Sequence, residues 1–226
     1  NITRSNNETR IKGYEILSAK DITIGSDISS AAFFIVAALI LNNSEIKIPN
    51  VNTNKYRTGI IIALEKMGAN ISIINKRVHS NENIADLLIK STQLKPINLG
   101  GEIISTLIDE LPILFIACAV SSGVSKITGI IELRYKESDR IKSMEEGLIA
   151  VGIKVTSTID SIEINGGEIM GGKVNSYGDH RIAMAFAIAG LVAKKSITIV
   201  DTKNISTSFP TFINLMREQG ADIYEL

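Results

Sequence analysis

The sequence predicts an α/β domain in which one unit is repeated three times and the inner helices are buried. Three observations carry this. The same order recurs along the chain: an almost wholly apolar helix, a short strand, an amphipathic helix ending at Gly, and a further strand or hairpin. The junctions Met67-Gly68-Ala69, Val151-Gly152-Ile153 and Gln219-Gly220-Ala221 fix the phase of the repeat. Each Gly follows an amphipathic helix, where a left-handed residue ends the helix without a Cβ clash. Alternating apolar and polar residues then follow each Gly, the period of a half-buried strand.

Residues 1–20 stand outside the repeat and read as the end of a preceding domain with a linker, leaving 21–226 as the repeated domain. In the first unit, residues 29–41 form the apolar helix and 45–49 the strand, 58–68 the amphipathic helix and 69–74 the closing strand. Residues 75–98, rich in Asn, Ser and Lys, read as loop with one strand candidate at 84–89. The second unit has helix 109–119, strand 125–129, helix 138–152 and strand or hairpin 153–164. The third has helix 179–193, strand 196–200, helix 208–220 and strand 221–226. A helix apolar all round must be buried on every side, so the three apolar helices form the core and the amphipathic ones cover it.

Composition narrows the function. With 45% apolar and 21% charged residues the chain has a soluble globular profile. Acidic and basic side chains balance at 24 each, which argues against a nucleic-acid binder but leaves room for small anionic ligands held by local cations. The lone Cys118 lies in an apolar run, excludes an internal disulfide and fits a reducing compartment. The longest apolar run, 31–41, is about half of the roughly 20 residues a membrane helix needs, and no signal peptide is evident. A polar start at Asn1 without an initiator Met reads as a piece of a longer chain.

Several helix starts carry residues that chemistry uses. Ser138 is a good N-cap, which puts Arg140 in a first turn, where the helix macrodipole disfavours a cation. Either Arg140 is solvated or paired with Asp139, or a bound anion offsets the cost. Asp179 caps the third apolar helix, again leaving His180 and Arg181 in the first turn. His180 alone reads more readily as a hydrogen-bonded structural residue. Two Arg side chains at equivalent helix ends favour a shared anion site. Asp109 opens the second apolar helix before Pro112, either as a plain N-cap or as a general base at the same edge. Ser208 and Pro210 suit the start of the last helix, and Lys194-Lys195 reads as a solvated helix end. His79 and His180 lie far apart with a single Cys, so no metal-ligand spacing appears, nor does any phosphate-loop or dinucleotide glycine pattern.

Five segments together resemble the 5-enolpyruvylshikimate-3-phosphate synthase family. They are Gly25-Ser26-Asp27-Ile28-Ser29-Ser30-Ala31-Ala32-Phe33-Phe34, Ile108-Asp109-Glu110-Leu111-Pro112-Ile113-Leu114, Glu132-Leu133-Arg134-Tyr135-Lys136-Glu137-Ser138-Asp139-Arg140, Asp179-His180-Arg181-Ile182-Ala183-Met184-Ala185 and Thr207-Ser208-Phe209-Pro210. Order and spacing fit from about residue 15 onward. The resemblance implies an enolpyruvyl transferase-type domain of three βαβαββ units, the later of two similar domains flanking a cleft. It further implies transfer of the carboxyvinyl group of phosphoenolpyruvate to the 5-hydroxyl of shikimate 3-phosphate, without metal or organic cofactor. Asp109 matches the carboxylate near the attacking hydroxyl, Glu137 the one that exchanges the methylene proton, and Lys136 a substrate-contacting Lys. Arg140, His180 and Arg181 match groups around phosphoenolpyruvate. Also implied are a missing N-terminal half carrying the remaining ligands, an inactive isolated piece, a cytoplasmic full-length monomer, and no nucleic-acid or membrane partner. Several family members carry Lys where Thr207 stands, and Lys203 is the candidate substitute. Two alternatives stay open: the UDP-N-acetylglucosamine enolpyruvyl transferase, whose region matching 136–140 reads differently, and a non-catalytic repeat domain.

Overall fold

The computed structural model describes residues 2–225. An exposed antiparallel hairpin, β1 (Ile2–Ser5) with β2 (Glu8–Ile11), comes first, and residues 15–25 form no regular element. The repeat then begins.

The first unit contains α1 (Ile28–Ile40), β3 (Glu45–Asn52), α2 (Gly59–Lys66), β4 (Asn70–His79) and β5 (Glu82–Lys90). Ser26 bridges Val51 in parallel, and the sheet order is β3-β5-β4, antiparallel throughout. The second unit contains β6 (Asn98–Leu99), α3 (Leu111–Ala119), β7 (Val124–Thr128), α4 (Arg140–Ala150), β8 (Lys154–Ser157) and β9 (Ser161–Asn165). Its sheet runs β6-β7-β9-β8, with β6 parallel to β7 and the other pairs antiparallel. The third unit has β10 (Gly172–Asn175), α5 (His180–Gly190), β11 (Ile197–Val200), α6 (Ile205–Ser208) and α7 (Phe212–Glu218), with β10 parallel to β11. One topology therefore recurs. In all three units the first strand position lies parallel beside the second, and in the first two the fourth pairs antiparallel with the second while the third pairs only with the fourth.

The apolar helices form the interior as their composition requires. Every residue of α3 is buried, and α1, α3 and α5 pack against one another. Phe33 and Phe34 of α1 meet Phe209 and Phe212, with ring centroids 5.7–6.2 Å apart within the group, so the end of the third unit closes onto the first. Offset and edge-to-face ring pairs of this kind add to the gain from burial.

The three glycines behave as their positions demand. Gly68, Gly152 and Gly220 have φ of +86°, +92° and +90°. Behind each, a backbone N–H reaches back over the helix end: Ala69 to Leu64 O at 3.0 Å, Ile153 to Leu148 O at 2.9 Å and Ala221 to Met216 O at 3.0 Å. Each glycine's own N–H also reaches back, to Glu65 O at 2.9 Å, Ile149 O at 3.0 Å and Arg217 O at 2.9 Å, and this double closure is the Schellman arrangement.

Four expectations are corrected. The stretch 75–98 is not mainly loop, because β4 runs on to His79 and turns through Ser80 and Asn81, at φ 50° and 65°, into β5. Two left-handed turn residues match the twist of a tight hairpin. The helix expected at 208–220 is split into α6 and α7, since Pro210 pushes Phe209 to φ −140°, out of the helical region. Ser208 thus ends a helix rather than capping one. Helix 109–119 is a 3-10 turn at Ile108–Glu110 followed by α3, so Asp109 is not its cap. Residues 221–225 form no strand, although Ala221 and Ile223 pack on the core with the expected alternation. In the other two units the third strand pairs only with the fourth, and among the described residues no fourth strand lies here.

Candidate active site

Charged side chains gather where the apolar helices begin. Asp179 is fully buried and caps α5, its Oδ1 accepting the Arg181 N–H at 2.9 Å. Its Oδ2 accepts from Arg140 Nε at 2.7 Å and from Ser138 Oγ at 3.1 Å. Arg140 opens α4 and is buried too, with Nη1 donating to Asp109 Oδ1 at 3.3 Å and Nη2 to Glu137 Oε2 at 2.5 Å.

Neither simple reading of Arg140 holds. It is not solvated, and Asp139 is not its partner. The helix is capped by Asp139, which accepts from Lys142 N at 3.1 Å and pairs with Arg134 at 2.6 Å, so Ser138 is displaced from the capping role. The cost of a buried cation at a helix start is offset by three carboxylates of the chain itself: Asp179, Glu137 and Asp109. Buried charges persist only when paired in this way.

Asp109 is the meeting point. Arg140 Nη1 and Lys136 Nζ reach its Oδ1 at 3.3 and 3.4 Å, and Arg181 Nη2 lies 3.9 Å from its Oδ2. Partial burial pushes its carboxyl up, but Arg181, Lys136 and Arg140 more than reverse this and hold it below the ordinary value. Lys136 is also bound by Glu132 at 2.7 Å, and that bond, opposed by burial and aided by Asp109, keeps its ammonium above the usual range. His180 is half-buried beside Arg181, Asp179, Glu137 and Arg140. Burial, then the Arg181 charge, pulls its imidazole below the ordinary value, which favours the neutral form.

Five of the six residues singled out from sequence join one bonded network: Asp109, Lys136, Glu137, Arg140 and Arg181. His180 faces it without a direct side-chain hydrogen bond. Lys203 is exposed, in a loop that touches the α5 start through an Asn204 Nδ2–Gly178 O bond.

Four contributors escape a reading of the sequence. Asp179 looks there like a cap alone, yet it also orients Arg140. Arg134 stands only as one letter of a motif. It donates to Ile159 O at 2.8 Å and Thr158 O at 2.6 Å, so it clamps the loop bearing Lys136 and Glu137 onto the β8–β9 turn. Glu110 is overshadowed by Asp109, although a carboxylate entering a wholly buried helix must find partners. Arg57 precedes α2 as Arg140 begins α4, and binds Asp27 at the start of α1 at 3.2 Å. That parallel is visible in the repeat.

A cleft of about 160 Å3 beside this cluster is lined by residues including Asp27, Asn52 and Arg57. A cavity of about 580 Å3 at the far end of α1, between Asn42 and Thr92, has no titratable side chain in its wall and stands apart from the charged cluster.

Comparison with known proteins identifies the family and the fold. The family model for EPSP synthase (3-phosphoshikimate 1-carboxyvinyltransferase) matches residues 1–216. The 3-phosphoshikimate 1-carboxyvinyltransferase of Geobacter metallireducens is 46% identical over 212 residues, covering 93% of this chain and 49% of that protein. The enzyme of the same name from Legionella pneumophila strain Paris is 50% identical over 192 residues, 85% of this chain and 44% of that one. Among solved structures, an EPSP synthase from Acinetobacter baumannii superposes with a TM-score of 0.92 at 42% identity, covering 96% of this chain and 51% of that one. The enolpyruvyl transferase NikO from Streptomyces tendae, at 16% identity and a TM-score of 0.71, shares the fold. The chain spans about half the length of the curated relatives it matches. By the extent of the family match, the chain belongs to the EPSP synthase (3-phosphoshikimate 1-carboxyvinyltransferase) family.

Proposed function

We propose that this chain supplies one wall of an enolpyruvyl transfer site acting on phosphoenolpyruvate and shikimate 3-phosphate. The supporting observation is the Asp109 carboxylate, met by Lys136 and Arg140 from one segment of the chain and by Arg181 from another. Both reactants are polyanions, and fixed cations that face charge developing in the transition state lower the barrier.

The chemistry then follows from the groups at hand. The 5-hydroxyl oxygen bonds to C2 of phosphoenolpyruvate, the C2–C3 double bond supplies a pair to a proton at C3, and a tetrahedral ketal results. A C3 proton then leaves, the double bond re-forms and phosphate departs. Asp109 takes the hydroxyl proton. With its cations free it is a weak base, and phosphate and carboxylate groups arriving on Lys136, Arg140 and Arg181 raise its basicity as they neutralise those charges. Glu137, half-exposed and bonded through one oxygen to Arg140, serves C3. Arg140, Arg181 and His180 hold the donor, and Lys136 contacts substrate and stabilises developing charge. Lys203 stands in for the cation that Thr207 lacks.

In this reading residues 1–20 end the preceding domain and 21–226 form the transferase domain. The remaining half of a monomeric cytoplasmic enzyme completes the cleft. The test is steady-state kinetics of the full-length protein. Asp109→Asn and Glu137→Gln should each lower kcat by about 100-fold or more with little change in phosphoenolpyruvate affinity. Near-normal kcat in both variants would remove them from the chemistry.

A further inference from the structure

Glu110 is a buried carboxylate with no part in the chemistry above. Only 5% of it is exposed, at the last position before the wholly buried helix α3. Its Oε1 accepts a hydrogen bond from Ser29 Oγ and lies 3.6 Å from Arg181 Nη1. Arg57 Nη2 in turn donates to Ser29 Oγ at 2.9 Å, and Arg57 is itself held by Asp27 at 3.2 Å. A hydroxyl has a single proton, and an arginine N–H occupies an acceptor position on this oxygen. Ser29 must therefore point its proton at Glu110. The relay Arg57–Ser29–Glu110–Arg181 is directional, and its members come from the turn before α2, from α1, from the turn before α3, and from α5.

Arg181 is gripped at one end only. Nη1 donates to Asp109 O at 2.8 Å with the Glu110 carboxylate beside it, while Nη2 faces Asp109 Oδ2 at 3.9 Å, too far for a hydrogen bond. Holding one nitrogen from behind fixes the plane of the guanidinium and leaves its other edge free for a planar, bidentate partner. Burial pushes the Glu110 carboxyl up, opposed by the Ser29 bond and the Arg181 charge.

We propose that Glu110 is a positioning residue for Arg181, set by the Arg57–Ser29 relay, and that it governs capture of the anionic donor rather than the chemical step. This inference rests on the enolpyruvyl transfer reading. A carboxylate that only filled space would alter stability, or kcat and KM alike. A positioning carboxylate splits the two constants.

The experiment is steady-state kinetics of the full-length protein with phosphoenolpyruvate and shikimate 3-phosphate. Glu110→Gln should raise KM for phosphoenolpyruvate by about tenfold, because it removes the carboxylate charge beside Arg181 Nη1, with kcat changed by less than about threefold. Arg57→Met should shift KM the same way by a smaller factor and add nothing once Glu110→Gln is present, because both act through one carboxylate. Unchanged KM in either single variant, a fall in kcat alone, or fully additive effects would each overturn the proposal. Arg57 is about half-exposed, so its variant tests the relay even where Glu110→Gln fails to fold. A wild-type protein without turnover overturns the transfer reading and this inference together. An active wild type with unaltered variants overturns only the inference.

Discussion

Arg140 shows how a single residue's role depends on what it touches. Its position in a first turn is legible in the sequence, and so is the conflict with the helix macrodipole. Its resolution is not, because Asp179 lies 39 positions away and Asp109 31 positions before it. The buried Arg140–Asp179 pair has a consequence for mutagenesis. Arg140→Ala leaves Asp179 charged and buried without its main partner, which costs about 3–5 kcal/mol of stability. Chemical denaturation should show that loss alongside weaker phosphoenolpyruvate binding. Arg140→Lys retains the charge but not the fork, so it should keep most of the stability while still losing affinity in calorimetric titration. Wild-type stability in the Ala variant would mean that the pair contributes nothing. For Asp109 the sequence offers a cap or a base. The structure removes the cap and leaves a carboxylate ringed by cations.

Among elements, the helix ends are the most readable. Gly68, Gly152 and Gly220 belong at left-handed ends by position alone, because a local steric rule requires them. The surroundings still separate them. A Cβ on Gly68 meets nothing within 4 Å, whereas one on Gly152 comes within 2.9 Å of Met170 Cγ. Gly68→Ala should therefore cost the backbone penalty alone, roughly 1 kcal/mol, and Gly152→Ala measurably more. Equal losses in denaturant melts would mean that Met170 yields freely. The long hairpin of β4 and β5 is the least readable element. Both strands flanking β5 carry a bulge, with Asn50 and Asn75 at φ 57° and 51°. Buried Asp86 ties the bulges together, accepting from Asn75 Nδ2 and Asn50 N at 3.0 Å each and pairing with Lys47 and Arg77 at 3.0 and 3.2 Å. The Asn75 bond, then the Asn50 N–H, then Lys47 hold its carboxyl far below the usual range. Asn, Lys and Arg look like loop in sequence because nothing local shows that they converge on one carboxylate.

For the whole molecule, three helix starts and the turns beside them present their charges at one pole, and the transfer reading proposed above needs a second wall opposite. The chain by itself should give negligible turnover of phosphoenolpyruvate and shikimate 3-phosphate, and adding the remaining half of the protein in trans should restore it. Phosphate-release assays on the two preparations check this, and turnover by the chain alone would end the two-wall account. The sequence alone determined the threefold repeat, the buried inner helices, the glycine helix ends and five of the residues that meet in the network. All of these follow from short-range periodicity and sterics, or from motifs whose residues are close together in the chain. Tertiary structure alone decided that Asp179, Glu137 and Asp109 gather on Arg140, that Ser29 and Arg57 stand behind Glu110, and that 221–225 forms no strand. Each of those rests on partners far apart in sequence, and a charge or a strand edge is satisfied by what folding brings beside it.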